Sequence, residues 1–177
     1  MAYFATYWDL FWALDDRQQQ LVIRLSPSVF GDDRLTWGLV LAQTYALRGD
    51  PAKARIYADS ARIAGETQFS VSAQSATLPL LVGLAEAYAG HSEQAIRLGE
   101  EGAARSPMSR DAYGGAYNQH VLARIYVRSG QPEKAVAILE QLLKVPYFLS
   151  PGWLRIDPEW KPLRGNPRFE RLIAAKG

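Results

Sequence analysis

The chain has 177 residues, of which 48% are hydrophobic, and its 20 basic and 18 acidic residues give a net charge of +2. This length fits one domain or two small ones, and the composition is that of a folded protein rather than a disordered one. The near balance of charge gives no whole-molecule attraction to nucleic acid or to an anionic membrane. Because the chain has no cysteine, disulfide bonds, thiolate catalysis and cysteine-ligated zinc are excluded.

The first residues, Met1 to Leu14, are apolar and aromatic, but they include Asp9 and lack an early lysine or arginine. This composition argues against a signal peptide. No apolar run approaches the roughly 20 residues that a helix needs to span a bilayer. We therefore expect a cytoplasmic protein without membrane insertion, or an extracytoplasmic one if the natural chain carries a transmembrane segment upstream.

Residues 1–34 are predicted to form an irregular hairpin, with a first helix from about Ala2 to Leu14. Asp15 or Asp16 then caps a short second helix that ends near Leu25. A helix that is apolar all round is usually buried, so its aromatic residues are predicted to belong to the core. The alternative is a contact surface for an upstream domain or for a second copy in a homodimer. The aromatic residues are Tyr3, Phe4, Tyr7, Trp8, Phe11 and Trp12.

Three segments that follow share one pattern, which is centred on Tyr45, Tyr88 and Tyr126. Each contains Leu-Ala-x-x-Tyr, then a glycine, and then small or apolar residues seven positions apart. Leucine and tyrosine four residues apart lie on one face of a helix, and the glycine supplies the left-handed conformation that ends it. The pattern predicts antiparallel helical hairpins at residues 35–66, 78–105 and 116–144.

This pattern resembles the tetratricopeptide repeat. The resemblance implies an all-α fold in which helical hairpins stack side by side as an α-solenoid. The tyrosines are further apart than the usual period of about 34 residues. The additional residues lie around Glu66 to Thr77 and around Ser106 to Gly115, where we expect the helices to be extended.

Residues 145–177 differ from the repeats, because they are rich in proline and tryptophan. Asn166 and Pro167 are expected to cap and begin a final helix. A solenoid needs an atypical last unit to cover its apolar end, and this segment is predicted to be that C-terminal cap. Its large aromatic side chains are expected to fold back onto the third hairpin: Trp153, Trp160 and Phe169.

The segment Ser150 to Phe169 reads Ser-Pro-x-x-Leu-Arg-x-Asp-Pro-x-Trp-x-Pro-Leu-Arg-x-x-Pro-Arg-Phe. It is similar to the end of the carboxy-terminal tetratricopeptide regions in bacterial multidomain serine/threonine kinases and related signalling regulators. This resemblance implies the docking or sensing part of a bacterial signalling protein.

The resemblance also implies that the first helix of each hairpin lines a concave groove that binds a protein or peptide. His120, Arg124 and Arg128 are four residues apart and form one basic stripe. Gln43 and Glu86 occupy the repeat position of Arg124, and Glu86 is expected to lie close enough to pair with it. We therefore predict that these five residues are solvent-accessible and bind a partner segment, and that the basic residues favour acidic side chains in that segment. The alternative is a solvated charged face without a ligand.

The segment Gly90-His91-Ser92-Glu93-Gln94 resembles part of a hydrolase nucleophile elbow, but it lacks the final glycine and the preceding strand. Ser92 is more simply interpreted as a helix N-cap. A small serine hydrolase that uses Ser92 with His91 or His120 is one alternative function. A structural oligomerisation module, in which the aromatic first helix pairs two copies, is the other.

No cofactor, metal or catalytic residue is predicted. The two histidines do not form a ligand pair, and no glycine-rich phosphate loop is present. Basic residues and tryptophans in the tail lack an accompanying nucleic-acid motif. The sequence therefore predicts a non-catalytic scaffold that binds a protein or peptide segment.

Overall fold

The structure is a computed structural model that describes residues 7–69 and 75–175, with the backbone alone for residues 7–9. Within these residues every regular element is a helix, so the predicted all-α class is confirmed. The elements are η1 (Tyr7–Ala13), α1 (Asp16–Val22), η2 (Pro27–Phe30), α2 (Arg34–Leu47), α3 (Pro51–Phe69), α4 (Thr77–Ala89), α5 (Ser92–Arg105), α6 (Gly114–Arg128), α7 (Pro132–Leu142), α8 (Pro151–Ile156), η3 (Pro158–Leu163) and α9 (Pro167–Ala174), where η denotes a 3₁₀-helix.

Helices α2 to α7 form three antiparallel hairpins, α2/α3, α4/α5 and α6/α7, and each hairpin packs against the next. The turn of each hairpin contains a glycine with a positive φ, such as Gly90 at 97°. An L-residue with a side chain rarely adopts this conformation, so the glycine ends the first helix and directs the chain into the second. The resulting architecture is a helical-repeat solenoid of the tetratricopeptide type.

The two helices of a hairpin approach closely because small residues lie where they cross. A Cβ atom on Gly38 would be 2.9 Å from the carbonyl oxygen of Tyr57, and one on Gly83 would be 2.9 Å from that of Ala95. The repeated alanines of the first helices are also fully buried. The backbones of α2 and α3, and of α4 and α5, are therefore in direct contact. The repeated alanines are Ala42, Ala85 and Ala123.

The additional residues between the hairpins behave in two ways. Helix α3 continues to Phe69, as the expectation of an extended helix requires. Between α5 and α6 the expectation is wrong, because residues 106–113 form turns. Pro107 lacks the N–H that a continuing helix needs. A Cβ atom on Gly115 would be 2.6 Å from the backbone nitrogen of Met108, so the turn packs tightly against the start of α6.

The amino-terminal segment follows the prediction in its cap and departs from it in its helix type. Asp15 caps α1 and accepts a hydrogen bond from the backbone of Gln18 at 2.7 Å. The segment from Tyr7 is a 3₁₀-helix rather than an α-helix. Phe11 packs in a small core with Val22 and residues of α2, as the buried interpretation predicts. Tyr3 and Phe4, and the side chains of Tyr7 and Trp8, lie outside the described residues.

The tail, residues 145–175, folds back onto the third hairpin. Trp160 and Phe169 are fully buried, and Trp153 packs against the same core. Asn166 caps α9, as predicted, by accepting hydrogen bonds from the backbone N–H groups of the first turn. Arg168 pairs with Glu140 of α7 at 2.7 Å and thereby fixes α9 to that helix. No helix among the described residues is both long enough and apolar enough to cross a membrane.

Candidate partner-binding site

The structure buries most of the residues that were predicted to line an open groove. Of the five, only Arg128 reaches solvent appreciably, with 28% of its side chain exposed. The expectation of solvent accessibility is therefore wrong for the other four. Two segments of the same chain, η1 and the tail, cover Gln43, His120 and Arg124, whereas Glu86 is buried between neighbouring helices. Their exposed fractions are 3% for Gln43, 4% for Glu86, 2% for His120 and 2% for Arg124.

The inner face is the surface formed by α2, α4 and α6, the first helices of the hairpins. Helix η3 lies on α6 and α7, and its Trp160 ring stacks on the ring of His120 at 5.6 Å between centroids. The Nδ1 atom of His120 also lies 3.2 Å from the hydroxyl of Tyr147. Burial, reinforced by the nearby charge of Arg124, lowers the pKa of His120 to about 3. The ring is therefore neutral at physiological pH and serves as a stacking surface.

Glu159 precedes Trp160 and forms the polar attachment of η3. Its carboxylate accepts hydrogen bonds from Arg128 at 2.7 Å and 3.0 Å, and from the hydroxyl of Tyr88 at 3.3 Å. The Arg128 guanidinium also lies 3.6 Å from the centre of the Tyr88 ring. Burial opposes ionisation of Glu159, but the positive charge of Arg128 lowers its pKa overall, so it stays a carboxylate.

The amino-terminal segment η1 lies on α2 and covers another part of the inner face. Arg124 donates a hydrogen bond to the Oε1 atom of Gln43, which links α6 to α2, and its guanidinium lies 5.9 Å from the ring centre of Phe11. Trp12 contacts Trp153 of α8 edge to face, at 5.6 Å. The two covering segments therefore touch each other.

Glu86 does not belong to this group. Its carboxylate lies 2.6 Å from Nδ1 of His91 and 4.0 Å from Nε of Arg62. Arg62 belongs to α3 and His91 to the turn between α4 and α5, so Glu86 joins neighbouring helices. The proposed pair with Arg124 is replaced by these two contacts. The other four predicted residues lie together. Gln43 and Arg124 share a hydrogen bond near Phe11, and His120 and Arg128 contact η3.

Sequence reasoning missed Tyr88, Glu159 and Arg55 as residues of the site. Arg55 is exposed and lines an open cleft of about 350 Å³ between η3 and the turn ends of the hairpins. Glu159 has one distinguishing feature in the sequence, its position beside a tryptophan and between two prolines. That feature predicts only part of a cap, because the partner of Glu159 on α6 is 31 residues away.

The hydrolase alternative gains no support from the geometry. His91, rather than Ser92, is the N-cap residue of α5, so the predicted cap is wrong by one position. The Nδ1 atom of His91 is engaged by Glu86, and His120 lies beneath Trp160. Within the described part of the chain no hydrogen bond joins Ser92 to either histidine, and a serine nucleophile requires such a base.

Comparison with known proteins agrees with this architecture. The model of the tetratricopeptide repeat family matches residues 38–55 and 119–141. The first match spans the turn between α2 and α3, and the second covers most of α6 and α7. No curated protein and no solved structure matches the chain. The repeated residues, the stacked hairpins and the two matched segments together support a protein that contains tetratricopeptide repeats.

Proposed function

We propose that the chain is a scaffold that binds an acidic segment of a protein partner at the inner face. Tetratricopeptide repeats are typically non-catalytic and generally mediate protein–protein interactions. The observation that carries the proposal is the open cleft of about 350 Å³ at the turn ends of α2, α4 and α6, hereafter the inner cleft. It is lined by Ala46, Pro51, Ala54, Arg55, Ala87, Tyr88, Val127, Arg128, Pro158, Glu159 and Pro162.

The lining of the inner cleft suits a peptide with a carboxylate. Alanine, valine and proline side chains supply apolar contact, and the two arginines supply positive charge. Arg128 is already paired with Glu159, whereas Arg55 makes no salt bridge with another described residue. An exposed cation at the edge of an apolar cleft attracts an acidic group and steers its approach.

The likeness of the tail to the carboxy-terminal regions of bacterial kinases supports a docking role in a bacterial signalling protein. This part of the proposal makes a separate prediction about the gene. A kinase domain or a transmembrane segment is expected upstream in the same reading frame, and an isolated reading frame would contradict it.

The binding test uses the whole chain as bait for a displayed library of random peptides. Selected peptides are expected to be enriched in aspartate and glutamate. Arg55→Glu should weaken their binding at least about tenfold, because it reverses the charge at the edge of the inner cleft. Arg110→Glu is the matched control, since Arg110 is exposed and lies in the turn before α6, at the opposite end of the hairpins.

Both variants should melt as the wild type does, because exposed charges contribute only about 0–1 kcal/mol to stability. Selection without acidic enrichment would contradict the proposal. Equal loss of binding in Arg55→Glu and Arg110→Glu would show that the inner cleft is not the binding site.

A further inference from the structure

Helix η3 has the form of a short peptide ligand. Glu159 and Trp160 are adjacent, and Pro158 and Pro162 bracket them. Asp157 caps the segment by accepting a hydrogen bond from the backbone of Glu159 at 2.9 Å. Proline and the cap restrict the backbone, so the acidic and aromatic side chains are presented in a fixed geometry.

The contacts of η3 are made with the helices that form the inner face. Glu159 meets Arg128 of α6 and Tyr88 of α4, and Trp160 stacks on His120 of α6. The attachment thus consists of one bidentate ion pair and one ring stack. Bidentate pairing of arginine with a carboxylate and stacking of a flat ring are both specific in geometry. Together they define a site for an acidic residue followed by an aromatic one.

The fit of η3 is incomplete. The Nε1 atom of Trp160 and the Nε2 atom of His120 are buried, and neither has a hydrogen-bond partner among the described residues. A buried polar group without a partner is costly, so η3 occupies the site at less than the best attainable affinity. Clefts of about 350 and 300 Å³ adjoin the segment, and Pro158 and Glu159 line both. A second peptide therefore has access to the edge of η3.

We propose that the segment Asp157–Leu163 is an internal competitor for the peptide site of the inner face. The partner segment that displaces it carries an acidic residue followed by tryptophan. This inference rests on the proposed function, because it assumes that the inner face binds a protein segment. It adds the motif that is recognised and the residues that bind it. Arg128 and Tyr88 bind the carboxylate, and His120 stacks on the indole.

The test uses a fluorescent synthetic peptide of residues 155–164 and the full chain. Glu159→Gln in the chain removes the charge that holds η3 and leaves Arg128, Tyr88 and His120 unchanged. The peptide should bind this variant about tenfold or more tightly than the wild type, because apparent affinity rises with the fraction of open sites. A peptide in which glutamine and alanine replace Glu159 and Trp160 should not bind.

A second variant and a matched control separate displacement from loss of folding. Asp157→Ala removes the cap of η3 and leaves the residues that bind the motif unchanged. It should also tighten peptide binding. Glu93→Gln removes an exposed carboxylate in the first turn of α5 and should leave binding as in the wild type. Circular dichroism and thermal melting show whether each variant is folded. Adding Arg128→Ala to Glu159→Gln should abolish binding.

The outcomes distinguish this inference from the proposed function. If acidic library peptides bind the wild type but the 155–164 peptide binds no folded variant, the internal-competitor inference is overturned and the proposed function stands. If neither binds, both are overturned. Sedimentation that shows Glu159→Gln forming a dimer by exchange of tails would assign the site to a second copy and would also overturn the inference.

Discussion

The strongest consequence of the covered inner face is a pH dependence of stability that originates in His120. Its ring is buried beneath Trp160, and its pKa falls from 6.5 to about 3 through burial and the neighbouring Arg124. Between these two values the unfolded chain binds a proton at His120 and the folded chain does not. Folding stability therefore decreases as the pH falls below about 6.5.

The size of the effect follows from about 1.4 kcal/mol for each unit of pKa. The contribution of His120 amounts to a loss of about 2 kcal/mol at pH 5 and reaches about 4 kcal/mol at pH 3. Asp157 acts in the opposite direction, because burial raises its pKa to about 6 and the folded state binds its proton first. Its contribution is a gain of about 1 kcal/mol at pH 5. The pH dependence of the wild type alone is therefore not diagnostic.

The comparison that isolates His120 is with His120→Phe, which keeps a ring against Trp160 and removes the titrating group. Urea unfolding at pH 7, 6 and 5, followed by tryptophan fluorescence, gives the free energy of unfolding of both proteins. From pH 7 to pH 5, the free energy of unfolding of the wild type should fall by about 2 kcal/mol relative to that of His120→Phe. A difference that stays constant with pH would refute the reasoning, because His120 would then titrate equally in both states.

Four further substitutions test packing, capping and one hydrogen bond. Gly38→Ala should cost about 1–3 kcal/mol, because its methyl group would contact the backbone of α3. Gly152→Ala is the control and should be neutral or slightly stabilising, because its methyl group would contact few atoms. Equal melting temperatures of the two variants would contradict this prediction. Asn166→Ala should cost about 1 kcal/mol in urea unfolding by removing the cap of α9. Trp37→Phe should cost about 1 kcal/mol by removing the 2.8 Å hydrogen bond to the carbonyl of Leu25, and an unchanged unfolding midpoint would argue against that bond.

The hairpins were predictable because their determinants are local. The spacing of Leu84 and Tyr88 defines a helix face, and Gly90 ends the helix without reference to distant residues. The caps at Asp15 and Asn166 are local in the same way, since each side chain bonds to a backbone group two or three residues away.

The burial of the candidate site was not predictable in this way. Gln43 and Arg124 occupy repeat positions that line an open groove in the family, but here they are covered by η1 and by the tail. That covering depends on contacts such as Trp160 with His120, which lie far apart in sequence. No periodic pattern encodes such contacts, so the sequence identified the stripe of residues but not its environment.

The contact between Trp12 and Trp153 has a consequence for how the chain folds. A solenoid whose units touch only their neighbours can unfold one unit at a time, and folding can begin anywhere along it. Here η1 meets the tail, and a hydrogen bond joins Gln43 to Arg124, 81 residues apart. Unfolding of either segment therefore removes contacts from the other. We expect a single cooperative unfolding transition, and slower folding than in an open array of equal length, because these contacts raise the contact order.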